Sequence, residues 1–351
     1  MKTLKSNLLI LIISSSVLSA LWSNGQEATT TFQTMAIAHL DEKIEPNQNI
    51  VFASSFLAAW NELKVIIGDD ICTKEPVSLV PQLNKQAGLF QGSDDFVALA
   101  GFVKDGIIEQ INGALEAKYG FVNPYLKNYS DRYDNIICYA GFREKISFRH
   151  PFLKHSSPYP FFYNGKYAHV KCFGISNADS MLKDLEKICR QVEIYDYKDC
   201  NDFIVKLKGK ATDSELILAK IPLGKTMNQT IRDVQNRIAH TQPRQLTGGE
   251  LLVIPCINLF TENNFEELTG KYLANKGFEQ YFFAVAGQTL NFSLDETGAS
   301  TISQSVIVLK KGPNEGKYIF DRPFLVYMKK KNAELPYFAV WISNPEFLEK
   351  Y

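Results

Sequence analysis

The sequence predicts an α+β fold in which helices pack on a large mixed or antiparallel main β-sheet plus smaller sheets. Two observations carry this prediction. Strand-like runs of apolar or alternating residues dominate the chain from residue 136 onward and are spaced as in hairpins. Helical periodicity is confined to a few segments, and neither an internal repeat nor a low-complexity linker divides the chain. We therefore expect residues 27–351 to form a single domain.

The predicted helical segments share apolar positions at helical spacing, and glycine or proline marks several of their ends. Pro46 would end the first helix, and glycines would divide the third segment into two short helices. The segment 49–67 begins as a short strand and then becomes helical. In chain order, the predicted helical segments are 30–48, the second part of 49–67, 96–120, 226–240 and 265–277.

The predicted strands share continuous apolar runs or alternation of apolar and polar residues. IICYAGF (136–142) is a continuous apolar run, which is typical of a strand covered on both faces. Residues 319–330 and 335–343 are expected to close the chain as an antiparallel pair. The other predicted strands are 166–175, 191–197, 202–209, 214–222, 249–260 and 288–296.

The first residues have the composition of a secretory signal peptide. Lys2 and Lys5 form a basic start, residues 8–13 an apolar run, and residues 19–20 or 23–25 offer small side chains for cleavage. The apolar run is too short to span a bilayer comfortably. We expect residues 1–25 to be removed and the mature chain to be secreted and soluble, either extracellular or periplasmic.

The charge of the chain gives no reason to expect nucleic acid or a membrane as a partner. Loss of the two lysines of the signal leaves 38 − 2 = 36 basic residues against 38 acidic ones. Such a balance creates no strong field of either sign. The basic stretch 329–331 lies between two apolar runs and is interpreted as a solvated hairpin tip. We expect no nucleic-acid partner, no membrane partner and a monomer.

Six cysteines in a chain of 351 residues do not indicate a disulfide scaffold. Cys138 and Cys256 lie inside strand-like apolar runs and are interpreted as small buried hydrophobic residues. Cys189 and Cys200 flank a polar segment, where they could form a disulfide or remain free. None of the cysteines shows the spacing of a metal site, so we predict neither a metal nor a cofactor.

No catalytic constellation is present in the sequence, and we do not expect an enzyme. LGKT (223–226) resembles the end of a phosphate-binding loop, but Ala219 stands where that motif requires glycine. The five histidines do not form an HExxH motif, and no GxSxG elbow occurs. NYS at Asn128, NQT at Asn228 and NFS at Asn291 are sequons for N-glycosylation in a host that carries out this reaction.

The segment between Glu296 and Phe320 carries the functional argument. From residue 298 to 309 it has no charge and no proline, although disordered loops are usually more polar. Fifteen extended residues would reach about 50 Å. A strand with one small face could slide between existing strands over a packed core. In an extended conformation one face would carry Ala299, Thr301, Ser303 and Ser305, and the other Ser300, Ile302, Gln304 and Val306.

These residues resemble the serpin (serine protease inhibitor) superfamily. In that family a Glu and a Gly introduce a hinge of small residues, a reactive-centre loop follows, and the next strand begins with Phe-x-x-Pro-Phe. This chain has Glu296, Gly298 and FDRPF (320–324), with 324 − 296 = 28 positions between Glu and the final Phe. Further segments resemble the family: FAVWISNP (338–345), NIVFASS (49–55), PFLKHSSPYPFFYNGKYAHVKCF (151–173) and LLVIPCINLF (251–260).

The resemblance implies a suicide-type inhibitor of a serine protease with an exposed reactive-centre loop at 297–319. The protease would attack the loop, and the cleaved hinge would enter the main sheet as a new strand. A count without gaps places the reactive bond at Gly312–Pro313, but proline after the bond lacks the amide hydrogen. Lys311–Gly312 is our first choice and Lys310–Lys311 the second, which implies a trypsin-like target. The hinge would comprise Glu296, Gly298, Ala299, Ser300, Thr301, Ser303 and Ser305.

The chain departs from the family where the sheet must open. In place of a cluster of hydroxyl groups and histidine it has Ala53, Ser54, Phe56 and Gln288, while Cys138 replaces an asparagine and Ile146 a tryptophan. The proposed sheet-opening region thus comprises Ser54, Phe56, Cys138 and Gln288. Two hypotheses stay open: a protease inhibitor, or a non-inhibitory serpin-fold binding protein whose loop is a substrate or a partner-binding segment.

Overall fold

The computed structural model describes residues 34–45, 47–89, 96–144, 146–176, 184–210, 213–297 and 316–351. All elements below belong to the compact unit Phe32–Tyr351. The expected signal peptide lies outside the described residues. So do the hinge from Gly298 onward and the candidate reactive-bond residues Lys310, Lys311 and Gly312.

The described residues form five α-helices and eighteen strands, besides short 3₁₀ helices. The helices are α1 (Ser55–Ile67), α2 (Leu79–Ala87), α3 (Ile107–Tyr119), α4 (Leu185–Cys189) and α5 (Met227–Ala239). The strands are β1 (Thr34–Ile37), β2 (Asn49–Ala53), β3 (Phe96–Phe102), β4 (Ile136–Phe142), β5 (Leu153–Lys154), β6 (Tyr159–Tyr163), β7 (Lys166–Val170), β8 (Cys172–Ile175), β9 (Val192–Asp199), β10 (Asp202–Leu207), β11 (Ser214–Lys220), β12 (Arg244–Gln245), β13 (Leu251–Pro255), β14 (Ile257–Asn264), β15 (Gly287–Leu294), β16 (Lys317–Ile319), β17 (Phe324–Lys330) and β18 (Phe338–Ile342).

An eight-stranded mixed sheet lies at the centre of the molecule, in the order β1-β2-β18-β17-β11-β10-β9-β12. Only β1 and β2 pair in parallel, and all other neighbours are antiparallel. The inner strands β17 and β18 are buried on both faces, which explains their continuous apolar sequence. Their register joins Val326 to Val340. The predicted antiparallel pair at the end of the chain is therefore confirmed.

The helices α1, α2 and α5 cover one face of this sheet, and smaller sheets together with α4 cover the other. Alternating side chains of β17 and β18 point to the two sides. Leu325 and Trp341 join a core with α1, α2 and α5. Val326 and Val340 join a core with the four-stranded sheet β16-β13-β8-β5 and with the two-stranded sheet β14–β15. A third apolar cluster lies between α3 and the two-stranded sheet β3–β4. The predicted α+β architecture is confirmed.

Two of the predicted helices near the amino terminus are wrong. Residues 34–37 of the segment 30–48 form β1, which pairs with β2, and residues 96–102 form β3, which pairs with β4. In both places a neighbouring strand satisfies the backbone amides and carbonyls, and this outweighs a weak helical propensity. Of the two short helices expected over 96–120, only the second exists, as α3.

The helix predicted over 265–277 is also wrong. Gly270 and Gly277 have φ values of +79° and +87°, in the left-handed region that ends a helix. Between them, Tyr272 bridges to Phe282 and Leu273 to Thr73, so long-range backbone pairing holds the segment.

The strand predicted over 249–260 is divided into β13 and β14, which belong to different sheets. The division falls at Pro255, which has no amide hydrogen, and at Cys256, whose amide donates to the carbonyl of Lys171. The chain therefore passes from the four-stranded sheet into the two-stranded sheet β14–β15 at this point.

All six cysteines are free thiols. Cys189 is buried while Cys200 is exposed, so the disulfide that the sequence left open between them is not formed. Cys256 is buried as predicted, whereas Cys138 is only partly buried. In the described parts of the chain, no helix has both the length and the apolar character needed to cross a membrane.

Candidate functional site

The chain leaves β15 in a turn. The Asp295 carboxylate accepts hydrogen bonds from the amide and from the hydroxyl of Thr297, both at 2.8 Å. Side-chain bonding of Asp to the backbone two residues on is the geometry of an Asx turn. The predicted hinge, whose first residue is Glu296, therefore begins within this turn.

Glu296, the first predicted hinge residue, is anchored in this turn. It is 6% exposed, and its Oε1 lies 3.0 Å from Nζ of Lys154. This hydrogen bond raises the pKa of the Lys154 ammonium. The carbonyl oxygens of Glu296 and Thr297 accept from the amides of Phe152 and Phe148, at 2.8 and 3.4 Å. The entrance to the hinge is thus fastened to residues 148–154, which follow β4 in the chain.

Two separate two-stranded antiparallel sheets, β3–β4 and β14–β15, pack on neighbouring residues of the eight-stranded sheet region, Tyr337 and Phe338. The ring of Phe292 on β15 stacks on Phe338 at 4.5 Å, and the ring of Phe142 on β4 packs edge-on against the adjacent Tyr337 at 5.5 Å. Within the described residues, neither β4 nor β15 has a second partner strand. Unpaired edges of this kind can accept an additional strand. β15, the strand that leads into the hinge, pairs with β14 in a two-stranded sheet and does not belong to the eight-stranded sheet.

Gln288 ties β15 to the beginning of α1. Its Nε2 donates to the carbonyl of Ala53 at 2.9 Å and to Oγ of Ser55 at 2.8 Å, while its Oε1 is buried without a partner. Ser54 Oγ donates to the Tyr337 carbonyl at 3.3 Å, and the ring of Phe56 lies 4.3 Å from that of Phe265. Three predicted sheet-opening residues, Ser54, Phe56 and Gln288, are brought together here.

Cys138, the fourth of these residues, lies apart from the others. It is on β4, opposite Ala100, and faces Glu62 of α1. Burial, and then the Glu62 charge, raise the pKa of its thiol to about 12. Such a thiol is protonated at neutral pH and is a poor nucleophile. The helix α1 therefore connects Cys138 with the Gln288 cluster, but the four residues do not form one site.

The far end of the loop segment is anchored by a charged network that sequence reasoning missed. Tyr318 is fully buried, and its hydroxyl donates to Glu250 at 3.2 Å. Arg244 forms a bidentate pair with Glu250, at 2.6 and 2.9 Å. A Cβ on Gly316 would come within 2.7 Å of the Glu250 carboxylate and 2.8 Å of the Tyr318 hydroxyl, so a larger residue would have to displace these side chains. No spacing in the sequence signals this contact, because Arg244 and Tyr318 are 74 positions apart.

A second buried charge holds the FDRPF segment. Nζ of Lys220, which is 3% exposed, lies 2.5 Å from the Asp321 carboxylate and also donates to the carbonyls of Ile319 and Cys200. Burial of a lysine requires such a set of acceptors. Asp321 belongs to the FDRPF motif, whereas its partner Lys220 lies 101 positions earlier and is not signalled by the sequence. Both ends of segment 297–319 are therefore fixed by ion pairs, Glu296–Lys154 and Asp321–Lys220.

No protein-family model and no curated protein matches the chain. Among solved structures, thyroxine-binding globulin in complex with thyroxine is similar, with a TM-score of 0.48 and 10% identity over 85% of this chain and 93% of that one. A structure of human thyroxine-binding globulin with thyroxine gives a TM-score of 0.47 and 11% identity over 86% and 93%. With TM-scores below 0.5, the ligand of those structures carries no implication for this chain.

Proposed function

We propose that this chain is a divergent member of the serpin superfamily, an exported protein that presents residues 297–319 as bait to a trypsin-like serine protease. One observation carries the proposal: β15 ends in the turn at Asp295–Thr297, and the edges of β15 and β4 that could receive a new strand have no partner among the described residues. Strand addition to such edges gains main-chain hydrogen bonds.

In the inhibitory form of this proposal, the protease serine attacks the carbonyl carbon of Lys311 and forms an acyl-enzyme. The released residues 298–311 then enter between β4 and β15. The small face formed by Ala299, Thr301, Ser303 and Ser305 turns toward the core, where Phe292 and Phe338 stack. The free energy of strand addition pulls the attached protease along and distorts it. Cleavage after Lys310 is the second choice.

A second candidate function is that of a non-inhibitory serpin-fold binding protein, whose loop is a substrate or a partner-binding segment. The anchoring of the hinge favours this candidate. Glu296 is held by Lys154 and by the Phe152 amide, and Gln288 fastens β15 to α1. Each of these contacts resists movement of β15, and their sum could keep the edges closed to a new strand.

Incubation of the purified protein with trypsin separates the two candidates. Inhibition predicts an SDS-resistant complex of the two chains, together with a free peptide that begins at Gly312 or, for the second choice, at Lys311. A simple substrate is cut without forming a complex. Melting temperature adds a second readout: insertion predicts a large rise after cleavage, and an unchanged melt argues that the edges stay closed.

The direction of insertion is tested by a pair of arginine variants. Thr301→Arg would bring a charge to the core-facing side of the inserted strand and should abolish trapping. Gln304→Arg, on the opposite face, should leave it intact. If the Thr301→Arg variant still traps trypsin, insertion with the Thr301 face toward the core is refuted. If both variants lose trapping equally, the effect lies in recognition of the loop by the protease.

A further inference from the structure

The three sequons of the chain lie in very different environments. Each of Asn128, Asn228 and Asn291 is followed two residues later by Ser or Thr, so the sequence alone does not separate them. Attachment of an oligosaccharide requires space around the side-chain amide nitrogen in the folded product. The surroundings of this nitrogen therefore decide which sites a folded, exported chain can carry.

The site at Asn228 is closed by the fold. Its Nδ2 donates to the Asp41 carboxylate at 2.5 Å, and its backbone amide donates to the Leu40 carbonyl at 2.8 Å. Thr230, the hydroxyl residue of this sequon, is fully buried, and its hydroxyl donates to the Thr226 carbonyl. A sugar on Nδ2 would break the bond to Asp41 and push the start of α5 away from residues 40–41.

The site at Asn128 is open. Asn128 and Ser130 are both exposed, and Asn128 lies in the short 3₁₀ helix Pro124–Tyr129. Side chains three residues apart eclipse each other in a 3₁₀ helix, so Asn128 stands over Tyr125, which is 49% exposed. A sugar attached to Asn128 could cover this ring and remove apolar surface from water.

The site at Asn291 is open in the same way. Asn291 and Ser293 lie on the outer, solvent-facing side of β15, where exposed and buried residues alternate. The register places Asn291 directly opposite Phe260 of β14, whose side chain is 60% exposed. Directly opposed side chains on one face of a sheet are in contact distance. The first sugar on Asn291 would therefore pack on an aromatic ring that is otherwise in water.

We propose that the exported chain carries N-linked oligosaccharides on Asn128 and Asn291 and none on Asn228. The inference rests on the export assigned under the proposed function and is independent of protease inhibition. The donor is a lipid-linked oligosaccharide diphosphate. The amide nitrogen of Asn forms a bond to C1 of the first sugar, the bond from C1 to the diphosphate oxygen breaks, the amide loses a proton, and the polyprenyl diphosphate leaves.

The test uses the full chain secreted from a eukaryotic cell line, once with its own residues 1–25 and once with an unrelated signal peptide in their place. Peptide N-glycosidase converts each glycosylated Asn to Asp, which mass spectrometry locates. We expect conversion at Asn128 and Asn291 and an unchanged Asn228. Ser130→Ala and Ser293→Ala should each remove one oligosaccharide while leaving both asparagines in place.

Oligosaccharide on Asn228 of the secreted protein would overturn the proposal, as would an unmodified Asn128 or Asn291 in protein secreted with the unrelated signal. If the chain is secreted with the unrelated signal peptide but not with its own residues 1–25, the proposed export is refuted. The glycosylated asparagines are then determined in the protein secreted with the unrelated signal peptide. Trapping of trypsin by the deglycosylated protein is measured separately, so failure of inhibition does not affect this result.

Discussion

The Lys154 ammonium lies 3.0 Å from the Glu296 carboxylate, and only Glu296 of the two is buried. This pair joins the residue at the entrance of the hinge to β5 of the four-stranded sheet. The Glu296 side chain is only 8% exposed, and buried acidic side chains in proteins are paired as a rule. Together with the hydrogen bond from the Phe152 amide to the Glu296 carbonyl, the ion pair therefore fastens the entrance of the hinge to the four-stranded sheet.

Removal of this cation should loosen the hinge. We expect Lys154→Met to lower the free energy of unfolding by about 1–2 kcal/mol, since Lys154 is itself half-exposed and screened by water. Trypsin should also cut the loop faster. Lys171→Met, which breaks the exposed pair with Glu349, is the control and should change stability by less than about 0.5 kcal/mol. Equal effects of the two variants would contradict the anchoring role.

Replacement of Gln288 by Glu should produce a pH-dependent loss of stability. A carboxylate could accept from Ser55 but would repel the Ala53 carbonyl, so we expect a loss of about 2 kcal/mol at pH 7. The protonated acid can donate to Ala53, which raises the folded-state pKa of the new residue. The lost stability should therefore return as the pH falls through that pKa. Asn258→Asp, on the exposed face of the partner strand β14, should show no such recovery.

Glu250 should contribute stability at neutral pH that is lost in acid. Burial opposes its ionisation, but hydrogen bonds from Arg244 and Thr247 outweigh burial and lower its pKa below the usual 4.5. A lowered folded-state pKa means that the stabilisation is complete above about pH 4.5 and fades as the pH falls below it.

We expect Glu250→Gln to cost about 2 kcal/mol at pH 7 in urea unfolding. The difference between this variant and the original chain should shrink from pH 5 to pH 3. A difference that stays constant over this range would show that the Glu250 charge is not what stabilises the end of the loop.

The six cysteines should fall into two groups, with exposed thiols reacting fast and buried or partly buried thiols reacting slowly. Cys72 and Cys200 are exposed, whereas Cys172, Cys189 and Cys256 are buried. Burial raises the pKa of Cys138 and of Cys256 to about 12, which removes the reactive thiolate. Titration of the folded chain with an aromatic disulfide reagent at pH 8 should modify two thiols quickly. Cys72→Ser should leave one fast thiol, and a third fast thiol in the unmodified sequence would contradict the structure.

The strands in the second half of the chain could be predicted because the pattern of apolar residues in each of them matches its burial in the fold. β17 and β18 are apolar at every inner position and are buried on both faces, while β15 alternates and is buried on one. The prediction of a helix over 265–277 was wrong because the local sequence pattern does not match the contacts of this segment. Its apolar positions suit a helix, yet they are used for bridges to residues far along the chain, which no local pattern contains.

Only part of the candidate site could be predicted from the sequence. The motif around Glu296 and Phe320 located both ends of the loop because it consists of consecutive residues. The partners that fix these ends, Lys154 and Lys220, lie 142 and 101 positions away, which follows from 296 − 154 and from the separation of Lys220 and Asp321. The sequence also did not show that Cys138 lies apart from Ser54 and Gln288. That separation follows from the fold, in which Cys138 on β4 faces α1.

The position of β17 and β18 inside the eight-stranded sheet has a consequence for the product of proteolysis. A cut after Lys311 yields a carboxyl-terminal peptide of 351 − 311 = 40 residues. Two of its strands lie between β2 and β11, so the peptide is held by ladders on both flanks. The nicked protein should elute as one particle from a gel-filtration column and separate into two bands only after denaturation.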